Sequence, residues 1–281
     1  DELGQAVTTT FDYMKTAFLL PVPLSWPLPH NIKMRRALAL LNQTIYSTLA
    51  QRRAADANKG DLISLLLSAR DESGRQLTDE EIRDDAMAIL VAGHETTAYT
   101  LAFAFYLLTR HPAIYSKLQQ EVRDVLQGRP PTFEDLAKLT YAAQVFKETL
   151  RLFPAAHTLP RQATKDTMIG DYEVRNGWLV GVDIWGMHRR PDFFANPKRF
   201  DPDRFTPERE AQIPRNAYIP FGSGPRNCIG RGLAMIEGPL VLAALTQHAR
   251  LELDPASRLK LKFLLTIRPK SPLMMRVRRL D

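Results

Sequence analysis

Cysteine is almost missing from this chain: Cys228 is the single one in 281 residues. That excludes an intramolecular disulfide and a multi-cysteine zinc site, and it fits a reducing compartment such as the cytoplasm. There is no apolar run of about eighteen residues, so no transmembrane helix is expected. The start, Asp1-Glu2, lacks the basic region of a secretory signal. No internal repeat and no long low-complexity segment appears. The histidines form no metal-ligand cluster. Nucleic acid is not expected as a partner: the net charge is +7, but no groove-reading motif accompanies it. The basic residues are dispersed, with small groups at Arg189-Arg190, Lys198-Arg199 and Arg276-Arg278-Arg279. An acidic protein partner and an ordinary solvated surface both account for them.

What is present reads as a mainly α protein with a small β component, helix-rich over 1–153 and mixed over 154–281. Residues 1–20 and 31–57 are expected to be helical, separated by Pro21, Pro23, Pro27 and Pro29. A short helix follows Gly60, and Asp71–Gly74 reads as a turn. Thr78 and Glu81 form a capping box. The helix it opens should run to about Thr109, stopped by His111-Pro112, and should pass through the core because it is apolar on most faces from Ala86 to Leu108. Further helices are expected at about 113–126, after Thr132, and at 139–152. Arg161–Val174 and Trp178–Val182 read as two strands around an Asn176-Gly177 turn. Residues 196–220 read as loop, 231–249 as helix, and Lys260–Ile267 and Leu273–Val277 as strands.

Three segments carry chemistry. The first is Phe221-Gly222-Ser223-Gly224-Pro225-Arg226-Asn227-Cys228-Ile229-Gly230. Its glycines allow turns and close approach of a flat ligand, and backbone N–H groups could point at the sulfur. A lone cysteine is otherwise a small buried hydrophobe. The second segment, Ala92-Gly93-His94-Glu95-Thr96-Thr97, puts an acid and hydroxyls inside an apolar helix. Thr96 bonded to a carbonyl one turn back would open that helix locally, and Gly93 would admit a planar ligand. Third, Glu148 and Arg151 lie three apart on an apolar helix, and Arg204 follows in a loop.

Together these segments resemble the cytochrome P-450 family in order and in residue type, over essentially the whole chain. The resemblance implies a cytochrome P-450 fold and haem b, with Cys228 as its iron ligand. It places Phe221, Gly222, Gly230, Ala92 and Gly93 at the cofactor and Arg226 and Arg161 at its propionates. Thr96 would hydrogen-bond dioxygen and Glu95 would relay protons. Glu148, Arg151 and Arg204 would brace the pocket, with Asp203 standing where the family more often has Glu. The implied activity is insertion of one oxygen atom of dioxygen into an apolar small molecule, such as a fatty acid, terpenoid or steroid. Electrons would come from NAD(P)H through a ferredoxin or a flavoprotein reductase. His157 is expected in a pocket wall or at the surface, not on iron. Compared with the family the chain is short, so the N-terminal section is expected to be missing, haem retention to be weak, and a membrane association to stay open. Two other readings accompany this one: a peroxide-driven or isomerising enzyme, and a fragment without productive haem. The apolar stretch Phe18–Leu28 reads as a cover for a substrate entrance, as a membrane contact or as a packed loop.

Overall fold

The computed structural model describes residues 2–19, 22–54 and 60–280. Packing divides the chain into two compact units, Asp1–Glu95 and Thr96–Asp281.

In the first unit, α1 (Glu2–Leu19) packs on α2 (Pro29–Ala54) through Ala6, Val7, Ala37 and Leu41. Pro29 opens α2, a position where proline's missing N–H is not needed. Buried Asn31 ties the preceding loop to it by donating to the carbonyls of Pro23 and Trp26, at 2.9 and 3.1 Å. Part of the Phe18–Leu28 stretch, Leu20 and Pro21, lies outside the described residues. So does the expected end of α2 beyond Ala54. Asp61 caps α3 (Leu62–Ser68). The capping box at the start of α4 (Asp79–Arg110) is formed as expected: Glu81 accepts from the Thr78 amide at 2.8 Å, and Thr78 Oγ1 accepts from the Glu81 amide at 3.2 Å.

The second unit is built around α6 (Thr140–Leu152), whose apolar face meets α5 (Pro112–Leu126) and α9 (Arg231–His248). Glu121 on α5 caps α6 from outside, accepting the Tyr141 and Ala142 amides at 2.6 and 2.8 Å. Gly238 lets α9 come close: a Cβ there would stand 2.3 Å from Phe146 Cε2. Short helices at Ile184–Met187 (α7) and Pro207–Glu210 (α8) punctuate the irregular stretch.

The strands differ from the sequence reading. Arg161–Val174 is not one strand. β1 (Thr158–Gln162) pairs antiparallel with β4 (Leu179–Asp183), while β2 (Thr167–Ile169) and β3 (Tyr172–Val174) form a hairpin inserted between them. Gly170, at φ 58°, makes that inner turn. The Asn176-Gly177 turn extends the outer ladder instead, the Gly177 amide donating to Ala163 O at 2.8 Å. Likewise Lys260–Ile267 is not one strand: β6 (Leu261–Phe263) turns back onto β7 (Ile267–Pro269). β8 (Met275–Arg279) pairs with β5 (Ala249–Leu253), which begins at the residue where the helix was expected to end.

Candidate active site

The cysteine loop is exposed, and Cys228 is a free thiol on its surface. Gly222 and Gly224 both have φ 76°, a left-handed conformation that favours glycine. The Cys228 amide donates to Phe221 O at 2.8 Å, which closes the loop. Gly230 is different. Its φ is −80°, and a Cβ there would lie 3.8 Å from Cys228 Sγ, an ordinary contact. The backbone therefore does not require glycine at 230. The expected backbone N–H bonds to the sulfur are not formed: among the described residues no hydrogen bond reaches Cys228 Sγ. Ile229, next to the cysteine, is 91% exposed.

Arg226 is exposed and has no ion-pair partner among the described residues. Arg161 is also exposed, and its guanidinium donates only to Pro160 O, at 2.8 Å. A Cβ on Gly222 would stand 3.2 Å from Leu159 Cδ1, so the cysteine loop lies against β1. Leu159 and Arg161 are two apart on that strand and share one face. The geometry thus puts Arg161 on the side of β1 that meets the loop. Both guanidinium groups are exposed and lack an ion-pair partner among the described residues, and such groups suit carboxylate ligands.

Behind the loop, the structure brings Glu148, Arg151 and Arg204 together. Arg151 and Glu148 are both fully buried, joined by two bonds of 2.7 and 2.8 Å. Arg151 also donates to the carbonyls of His188 and Pro197 at 2.8 Å each, and of Arg199 at 3.1 Å. All five guanidinium donors are thereby used. Glu148 Oε1 accepts from the Asp201 amide at 3.0 Å, and Arg204 Nε stands 3.5 Å from Glu148 Oε2. Burial holds the Arg204 guanidinium below its usual pKa, and the Glu148 carboxylate works against that. Asp203 takes no part: it pairs with Lys117 on α5.

Sequence reading missed His188. Its imidazole is fully buried and its Nε2 accepts from the Ile219 amide at 3.0 Å, while Nδ1 lies 3.3 Å from Arg151 O. Burial, with the nearby Arg151 and Arg189 charges, pushes its pKa down to about 3. Its partners are backbone groups far along the chain, so no local spacing signals it. His157 has both ring nitrogens engaged, with Thr158 Oγ1 at 2.9 Å and Leu264 O at 2.7 Å.

On α4 the motif is split by burial. Ala92, Gly93 and His94 are exposed, Glu95 and Thr97 are buried, and Thr96 is half-buried. The helix passes through the motif without a break, so the expected local opening at Thr96 is absent. Thr100 Oγ1 donates to Thr96 O at 2.8 Å within an intact helical turn. The reading of α4 as core applies to Phe103–Leu108, which is largely buried; Ala88, Ala92, Gly93 and Ala98 are exposed. A Cβ on Gly93 would meet nothing within 4 Å. In the first unit, His94 with Gly4, Gln5, Thr8 and Thr9 lines an open cleft of about 490 Å³.

Comparison with known proteins settles the family. The sequence profile described as Cytochrome P450 matches residues 1–277. The chain belongs to the cytochrome P450 family. It is 38% identical to a cyclooctat-9-en-7-ol 5-monooxygenase of Streptomyces melanosporofaciens, over 88% of this chain and 54% of that protein. It is 34% identical to a pentalenene oxygenase of Streptomyces avermitilis, over 91% of this chain and 58% of the relative. The crystal structure of the cytochrome P450DA heme domain superposes with a TM-score of 0.91 at 34% identity, covering all of this chain and 61% of that one. The chain thus has a cytochrome P450 fold and spans a little over half the length of these curated relatives. No helix among the described residues is long and apolar enough to cross a membrane.

Proposed function

We propose that this chain carries the thiolate end of a haem monooxygenase that oxygenates apolar small molecules. The exposed Cys228 thiol on its glycine-shaped loop, in a chain of this family, is the observation that carries the reading. The residues of the cysteine loop and β1 suit haem b: an accessible sulfur, exposed arginines for the propionates, and left-handed glycines at 222 and 224 that allow close approach of a flat ring. Cys228 would ligate the iron, Arg226 and Arg161 would take the carboxylates, and Phe221 and Gly222 would shape the loop beneath. A thiolate-bound haem supplies dioxygen activation.

Glu95 and Thr96 are the groups we assign to proton handling, an acid beside a hydroxyl on α4. Two relatives are named for oxygenating cyclooctat-9-en-7-ol and pentalenene, which favours a hydrocarbon-rich substrate. Electrons from NAD(P)H would arrive through a ferredoxin or flavoprotein reductase, for which exposed Arg231, next to the cysteine loop, offers a basic landing.

The test is the reduced, carbon-monoxide-bound Soret spectrum of the purified chain after haem addition. A thiolate-type band that Cys228→Ser abolishes is the expected result. A histidine-type band, or one unchanged in Cys228→Ser, would overturn the assignment.

A further inference from the structure

We infer that His188 is a positioning residue for the cysteine loop: its Nε2 holds the Ile219 amide and so sets where the loop that carries Cys228 begins. The sequence of contacts is continuous. Arg151 Nη1 donates to His188 O at 2.8 Å, which fixes the histidine's backbone on the brace. The ring returns to the same helix, with Nδ1 3.3 Å from Arg151 O. A carbonyl can only accept, so Nδ1 carries the proton and Nε2 is free to accept from Ile219 at 3.0 Å. Ile219 O then accepts the Gly222 amide at 3.0 Å, and Phe221 O accepts the Cys228 amide at 2.8 Å.

The ring is held in this orientation by Tyr218, stacked at 5.3 Å and 28°, and by Phe194 edge-on at 6.3 Å. Tyr218 is itself tied to α6, its hydroxyl donating to Lys147 O at 2.9 Å. No water-facing alternative exists for a ring with no exposed surface. An Ile219 amide deprived of its acceptor would therefore leave the loop's first turn without an anchor. The consequence for a bound haem rests on the haem-thiolate reading above; the statement about the loop does not.

Two variants separate the roles of the ring. His188→Phe keeps the aromatic packing and removes the acceptor. His188→Gln offers a side-chain oxygen near the place of Nε2. In the haem-free chain, His188→Phe should speed amide exchange at Ile219 and Gly222 on the order of tenfold and change the rate at which Cys228 reacts with a disulfide reagent. His188→Gln should restore most of both. A folded His188→Phe with parental exchange and thiol rates would overturn the inference. If His188→Phe does not fold, ring-nitrogen NMR of the parent chain decides: a protonated Nε2 cannot accept from Ile219 and would refute it. Where haem binds, His188→Phe should show a smaller thiolate-type share of the carbon-monoxide band than His188→Gln. Haem failing to bind in every variant, parent included, would count against the haem reading and leave the exchange and thiol rates to judge His188.

Discussion

Replacing Arg151 by lysine keeps the charge and should still be severely damaging. The guanidinium has five N–H groups, and each meets a partner: two on Glu148 and one each on the carbonyls of His188, Pro197 and Arg199. An ammonium has three donors from one point and cannot reach both the carboxylate fork and carbonyls on three different turns. At least two acceptors would lose a charged donor, each such bond being worth about 1.5–3 kcal/mol. With some relaxation, Arg151→Lys should cost about 2–4 kcal/mol. Arg151→Met should cost more, about 3–5 kcal/mol, because it leaves the fully buried Glu148 carboxylate without a counter-charge. For a unit of this size each kcal/mol lowers Tm by roughly 2–4 °C. The assay is urea and thermal unfolding followed by circular dichroism, with the double variant Glu148→Gln/Arg151→Met completing the cycle. The double variant should lose less than the sum of its parts by at least about 1 kcal/mol. Arg151→Lys within about 0.5 kcal/mol of the parent, well inside ordinary surface effects, would refute the claim that the fork is fully engaged.

Gly238→Ala should destabilise by about 1–3 kcal/mol, because the added carbon meets the buried Phe146 ring; a Tm equal to the parent's would show that α9 and α6 are not in close contact there. Acid sensitivity should come in part from His188, which is neutral in the folded chain with a pKa of about 3 against 6.5 when unfolded. The unfolded state takes up the proton first, so this contribution is intact above about pH 6.5 and is lost as pH falls toward about 3. Between about pH 7 and about pH 5 the loss should be about 2 kcal/mol, and His188→Gln should lack it. Identical pH slopes in the two proteins would contradict the burial argument.

What the sequence revealed and what it hid divide along the range of the interactions. The ends of α4 were readable because Thr78, Glu81 and Pro112 act within one turn of the residues they affect. Glu148 and Arg151 were readable for the same reason, three apart on an apolar helix. The left-handed Gly222 and Gly224 were readable because only local sterics decide them. The pairing of β1 with β4 was not, since a ladder that closes around an inserted hairpin is fixed by register and not by any one turn. The start of β5 was blurred because Ala249–Leu253 follows a helix with no break residue between. Glu121 capping α6 and His188 holding Ile219 were hidden too, each acting on a backbone amide 20 or more residues away.

The brace also accounts for how an irregular stretch between β4 and the cysteine loop is kept in one conformation. Buried backbone groups need partners, and here strand ladders do not supply them. Two side chains on α6 do so instead: Arg151 takes three carbonyls, and Glu148 takes the Asp201 amide. His188 then passes the arrangement on to Ile219. Every one of these groups belongs to the second unit. The position of Cys228 is therefore set by residues that also carry stability. Substitutions in the brace will lower stability along with loop order and cannot assign a role in chemistry. The His188 ring is bonded to the loop's leading amide, and only the residue's backbone carbonyl joins the arginine fork, so its side chain is the place where loop geometry can be changed while the fork keeps its acceptors.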